Sequence, residues 1–371
     1  MFDIDLIPHW EAALAVSAAT GLVVTLVVRL IEKADAAKTA ATVVEGTAYA
    51  TLGALGGLLG ALFFTYVLPA KFFAIVAFAL AAMCAAGIVL GLLHGTGSVA
   101  RKAIGIAVFA VLAVLLVVGG LALWGTGDDA SHLVYVATFL AATGATMGIS
   151  FAVYRSVHWA LGWLLAFVNG SWGALGTLTG LLLHVGTWTF FSPDPSAPAP
   201  GAARVLPNSE RRFFHCWQNG LRVMPQYFFS QGPVMTAWTP HGMWHEAVHV
   251  VQHYLFGPLM PISYITWAAV MGVAGAIVGL VTGNGIVHGA FAWAYVNNPW
   301  EVWEYNSAWG SSSPTPRAVS STVVKPGKSA TDLVFGNGLA WPLTVAWILL
   351  WVVGFVLLVA FAGGRPNLAT T

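Results

Sequence analysis

The chain has 371 residues, of which 58% are hydrophobic and only 8% charged, and its mean hydropathy is +0.79. A soluble globular chain is roughly a quarter charged, so this one could not cover a water-facing surface but could cover a lipid-facing one. A formal charge of +1 excludes a basic field for nucleic acid. The two cysteines, Cys84 in an apolar run and Cys216 in a polar segment, do not indicate a disulfide framework.

A helix needs about 20 mostly apolar residues to cross a bilayer. In chain order such stretches fall at about 12–31, 47–69, 72–94, 103–124, 132–154 and 171–191, with a seventh at about 340–362. Charged or turn-forming residues separate them: Lys33-Ala34-Asp35, Pro69-Ala70-Lys71, Arg101-Lys102, Asp128-Asp129 and Arg155. The acidic start, Met1 to Glu11, has no positive n-region, so the first apolar run is expected to be retained. Val157–Val168, with Trp159 and Trp163, is too short to span and is expected at the interface, where Trp is favoured. Gly53/Gly57, Gly56/Gly60 and Gly275/Gly279/Gly283 recur at four-residue spacing, which lets helix backbones approach in lipid.

The predicted fold class is an all-α polytopic membrane protein: seven transmembrane helices plus a hairpin or re-entrant segment, with a small extramembrane region. Residues 1–191 form an N-terminal bundle of about six helices. Residues 192–310 open with a linker marked by Pro193, Pro195, Pro198 and Pro200 and contain the apolar stretch 260–296. That stretch is too long for one helix and short for two, and Gly283-Asn284-Gly285 breaks it, so it is expected to cross and return. Residues 311–338 form a polar Ser/Pro-rich linker, and 339–371 hold the closing helix and tail.

Chemistry concentrates in His245-Glu246-Ala247-Val248-His249, an H-E-x-x-H sequence. Four residues is about one helical turn, so a helix here puts both imidazoles on one face, where they can hold zinc. Thr239 as N-cap, Pro240 at the first position and Gly257-Pro258 at the end predict such a helix. Two imidazoles and one carboxylate leave a fourth position for water, and Glu246 would act as the general base. The chain has only seven Glu, and Glu301 and Glu304 fall together about 50 residues downstream, so one of them is the expected third ligand. Gln252 shares the ligand face and could steady a ligand. His241, His253 and Tyr305 are candidate donors to an oxyanion.

These residues resemble the gluzincin group of zinc metallopeptidases. The likeness is closest to small bacterial relatives reading H-E-x-x-H-x-x-Q, then Gly-Pro, then a downstream N-P-x-E. The matching positions are His245, Glu246, His249, Gln252, Gly257-Pro258 and Asn298-Pro299-Trp300-Glu301-Val302-Trp303, and the match covers about residues 225–310. The resemblance implies Zn²⁺ as cofactor, Glu301 as third ligand and peptide-bond hydrolysis at or near the membrane surface of a bacterial plasma membrane. Glu304 departs from it, standing where these relatives have a small residue. Site-2 proteases fit poorly, since no Asp lies between Glu246 and Asp332; prenyl-protein (CAAX) peptidases fit weakly, with Ala308 where their Asp belongs.

The expected partners are the lipid bilayer and a peptide or membrane-protein substrate, with no nucleic acid. Strand-like content at Pro225–Phe229 and Val234–Trp238 could offer an edge to such a substrate. The competing reading is a non-catalytic scaffold or transporter with a structural or absent metal site; a transporter would show ionisable residues within its spans. The side bearing the site stays open, because Lys/Arg after the first span argue for an outside N-terminus while Arg204, Arg211, Arg212 and Arg222 argue for a cytoplasmic 192–258. Parity demands that 260–296 return to its starting side, or Glu301 cannot meet the histidines.

Overall fold

A computed structural model describes residues 3–125, 129–154, 159–190, 205–206, 215–217, 229–236, 240–306 and 333–362. The fold is all-α and polytopic, with seven helices among the described residues long and apolar enough to cross a membrane. Contacts divide the chain into two units, Met1–Trp238 with Ala360–Thr371, and Thr239–Val359.

The first unit holds α1 (Trp10–Ile31), α2 (Ala36–Val67), α3 (Ala70–His94), α4 (Val99–Gly125), α5 (Asp129–Tyr154), α6 (Trp159–Gly170) and α7 (Ala174–Phe190). The four-residue glycine spacing packs backbone on backbone. A Cβ on Gly53 would lie 2.1 Å from the Gly144 carbonyl oxygen, and one on Gly56 2.2 Å from that of Phe167. Of the segment 157–168, residues 159–168 belong to α6, which seats against α2 through this groove. The run at 171–191 forms a helix of only 17 residues, shorter than the other apolar helices counted as spans. At the end of α1 the buried Arg29 pairs with Glu32, donates to Thr42 Oγ1 at 3.2 Å and to the Val153 carbonyl at 2.8 Å, tying α1, α2 and α5.

Four short strands, β1 (Val205–Leu206), β2 (His215–Trp217), β3 (Phe229–Gln231) and β4 (Val234–Thr236), pair in the order β1-β2-β4-β3. β4 is parallel to β2 and antiparallel to β3, so both its edges are occupied. The expected peptide-accepting edge at 234–238 is thus closed at 234–236; among the described residues the outer strands are β1 and β3.

The second unit begins with α8 (Pro240–Phe256), which Gly257, at φ 50°, and Pro258 join directly to α9 (Leu259–Val281). Proline opens α8 as expected; its predicted cap, Thr239, lies outside the described residues. After Gly283 and Gly285, both at positive φ, the chain turns back through α10 (Ile286–Phe291) and a π-helical turn (Ala292–Val296) into α11 (Pro299–Asn306). α12 (Asn337–Ala362) closes the unit. The stretch 260–296 thus forms a hairpin of one span-length helix and a shorter return arm. Its arms touch without side chains between them: a Cβ on Gly289 would stand 2.1 Å from the Gly275 carbonyl oxygen, and one on Gly279 2.3 Å from that of Gly285. Lower down, Trp267 Nε1 donates to the Trp293 carbonyl at 2.9 Å.

A side chain at Gly289 would therefore push the two arms apart, whereas nothing lies within 4 Å of a Cβ at Gly354 in α12. Gly289→Leu should destabilise by at least about 1–3 kcal/mol through overpacking, with Gly354→Leu near neutral. Thermal unfolding in detergent, followed by tryptophan fluorescence, checks this; equal midpoints for the two variants would contradict it.

Candidate metal centre

Helix α8 places His245, His249, Gln252 and Phe256 on one face by their spacing. The facing residues come from α11, whose start is set by Asn298. Its side chain accepts from the Trp300 amide at 3.1 Å and donates to the Ala294 and Tyr264 carbonyls at 3.2 and 3.3 Å. Asn before Pro at the first helical position is a favoured start. Glu301 and Glu304, three apart on α11, then project together toward α8.

The contacts are specific to the atom. Both His245 Nε2 and His249 Nε2 face Glu301, at 3.3 Å from Oε2 and 3.4 Å from Oε1. These three residues form a buried group whose ligand atoms lie within 4.8 Å of one another and could hold a metal ion. The other ring nitrogens are held from behind. Glu304 Oε2 stands 2.5 Å from His245 Nδ1, and Gln252 Oε1 stands 2.8 Å from His249 Nδ1. Gln252 Nε2 donates to the Trp300 carbonyl at 3.1 Å, which orients the amide so that its oxygen must accept from His249 Nδ1–H. Each imidazole thereby presents Nε2, with its lone pair in the neutral ring, toward Glu301. Tyr264, at the start of α9, donates to Glu301 Oε1 at 2.8 Å. Glu246 is buried beside them, Oε1 4.0 Å from His245 Nε2.

Charge makes the case for a cation. Between Arg222 and Arg317 the sequence has no Lys, Arg or Asp, and its three Glu are Glu246, Glu301 and Glu304. All three are at most 3% exposed. Buried carboxylates need a positive partner, and the imidazoles of His245 and His249 stand against Glu301 and Glu304 to supply one. Burial favours their neutral form, but the Glu301 and Glu304 carboxylates outweigh it and hold His245 well above its ordinary pKa. His249 is raised as well, against its own burial, by Glu301. Glu301 is itself buried, yet the two imidazoles keep it far below the usual carboxylate range. Geometry agrees with charge: ligands about 2.0–2.1 Å from a tetrahedral ion stand about 3.3–3.4 Å apart, the spacing of Glu301 from both histidines. Glu301 Oε2 makes no hydrogen bond. The residues fit a metal ion.

Of the predicted site residues, His245, Glu246, His249, Gln252, Glu301, Glu304 and Tyr305 come together. The Tyr305 ring packs 5.3 Å from that of His245, and its hydroxyl is hydrogen-bonded by Tyr295. Burial and the nearby Glu301 raise the Tyr305 pKa far above its ordinary value, so it stays protonated. His253 is buried, burial lowers its pKa to about 4, and its Nε2 makes no hydrogen bond; it is not part of the ligand group. The side chain of His241 lies outside the described residues. Tyr264, Ser263 and Tyr295 escaped sequence reasoning. Ser263, which accepts from Trp300 Nε1 at 2.9 Å, and Tyr264 carried one signal: adjacent polar groups at the start of an apolar span. Comparisons with protein-family models, curated proteins and solved structures find no match for this chain.

The supports behind the imidazoles predict their own effects. Glu304→Gln and Gln252→Ala should each weaken metal affinity about 10–100-fold, and His249→Ala should abolish binding. Because the carboxylates raise both imidazole pKa values, metal must displace protons, so affinity should fall as pH drops from about 8 to about 6. Competition with a chromogenic chelator measures all three; a pH-independent affinity unaffected by Glu304→Gln would contradict them.

Proposed function

We propose that the protein is a membrane-bound zinc metallopeptidase, hydrolysing peptide bonds at or near the membrane surface. The observation that carries this reading is the set of donor atoms on His245, His249 and Glu301, at metal-ligand spacing, with the buried carboxylate of Glu246 alongside. A two-imidazole, one-carboxylate set suits zinc and leaves a position open for chemistry. Glu301 is the better third ligand than Glu304, because Glu304 contacts Nδ1 of His245 while the other ring nitrogens converge on Glu301.

Zinc, when bound, would supply Lewis-acid polarisation of the scissile carbonyl and acidify the attacking water. The protein's own residues divide the remaining work. Glu246 would accept the water's proton and deliver it to the leaving amine, as a general base and then a general acid. Glu304 and Gln252 would fix the two imidazoles with Nε2 forward. Tyr264 would orient the Glu301 carboxylate. Tyr305, neutral and close to His245, has a hydroxyl proton to donate to developing negative charge.

Glu246→Gln separates this reading from a non-catalytic scaffold. The variant should retain metal while peptide hydrolysis falls about 10²–10⁴-fold, the usual worth of a positioned acid–base group. Hydrolysis of a quenched fluorescent peptide library, with metal content measured on the same preparations, checks it. Equal hydrolysis by the two proteins would contradict the peptidase reading.

A further inference from the structure

The height of the metal centre along α9 says which peptides it can reach. Only Gly257 and Pro258 separate α8 from the apolar span α9, which leaves no stalk to lift the site away from the bilayer. The third candidate ligand is tied to that span. Tyr264 bonds the Glu301 carboxylate, Ser263 accepts from Trp300, and Asn298 donates to the Tyr264 carbonyl. Residues 263 and 264 lie four and five positions into α9, about 6–8 Å along its axis at 1.5 Å per residue.

The surroundings at that height are apolar. Ile265, next to Tyr264, is 68% exposed and begins a row continued by Val270, Val273, Ile277 and Leu280, all exposed. On α8, Leu255 is likewise exposed. Phe256 packs edge-to-face on Trp300 and Trp303, with ring centroids 5.1 and 5.6 Å away, an aromatic group of the kind enriched at the membrane boundary. Between Arg222 and Arg317 the sequence itself carries no charged residue other than the three glutamates buried in the site. A site meant for soluble peptides would stand in water and be flanked by groups that interact with water.

Building on the peptidase reading, we propose that the substrate is a polypeptide anchored in the same bilayer, cut within about two helical turns of its own membrane-spanning segment. A peptide bond at that depth reaches Glu246 without leaving the membrane surface. A soluble chain would have to enter the headgroup region first.

The test co-reconstitutes the full chain in phosphatidylcholine vesicles with a reporter: a single apolar helix of about 20 residues followed directly by a quenched fluorescent segment. The same segment is supplied without its anchor, and a third form carries a Gly/Ser spacer of about 20 residues between anchor and segment. The anchored reporter should be cleaved at least about tenfold faster than the free segment at matched bulk concentration, through confinement in the bilayer. The spacer form should lose cleavage at the original bond. Equal cleavage of anchored and free segments, both abolished by Glu246→Gln, would overturn the substrate proposal while leaving the peptidase reading intact. Cleavage of neither form would overturn both. A readout independent of activity is the depth of nitroxides at single cysteines replacing Leu255 and Ile265, with Cys84 and Cys216 changed to Ser. Position 265 should be oxygen-accessible and shielded from an aqueous nickel chelate, with 255 at the boundary; both exposed to the chelate would overturn the proposal.

Discussion

Three buried carboxylates crowd two imidazoles in a stretch of chain that offers neither Lys nor Arg, and the second unit is arranged around that imbalance. The carboxylates favour the protonated form of both histidines, Glu301 and Glu304 acting on His245 and Glu301 on His249. A divalent cation would offset the negative charge better, because it can sit between the Nε2 atoms and Glu301 at once. The Nδ1 contacts of Glu304 and Gln252 are what make that arrangement available. Without them either ring could turn over and spoil the convergence of donors.

Bringing Glu301 to α8 depends on a membrane hairpin. The chain leaves α8, runs the length of α9, turns at Gly283–Gly285 and comes back along a shorter arm. Glycines at 275, 279 and 289 let the arms meet backbone to backbone. The π-helical turn at Ala292–Val296 then gives way to α11, with Asn297 bonding the Leu333 carbonyl and the Phe335 amide and Asn298 capping the helix. Each of these features is remote from the chemistry, yet each helps set where two carboxylates arrive. The polar ties from α11 to Ser263 and Tyr264 also fix the height of the centre along α9.

Much of this was legible from residues alone. Apolar run lengths revealed the polytopic fold, because lipid imposes a minimum span that composition cannot hide. The H-E-x-x-H spacing revealed the helix face, and the scarcity of Glu pointed to Glu301 and Glu304. Their division of labour was not legible: it depends on which ring nitrogen of His245 each carboxylate meets, and one helical turn separates the two outcomes. Tyr264 was hidden inside an apolar run, since hydropathy registers a tyrosine at a helix start as merely amphipathic. The 171–191 run folds as a shorter helix than its apolar length suggests. Its first three residues, Ser171-Trp172-Gly173, are the turn that follows α6, so the helix α7 starts at Ala174 and has 17 residues; the turn carries no charge to mark it.

His245, His249 and Glu301 together could seat one metal ion between two imidazoles and a carboxylate. X-ray absorption at the zinc edge on the purified protein examines that seat directly. The expected result is two imidazole nitrogens with oxygen completing a shell at about 2.0–2.1 Å, and loss of one imidazole's outer-shell scattering in His249→Ala. A shell of oxygen alone, or a spectrum unchanged by His249→Ala, would contradict it.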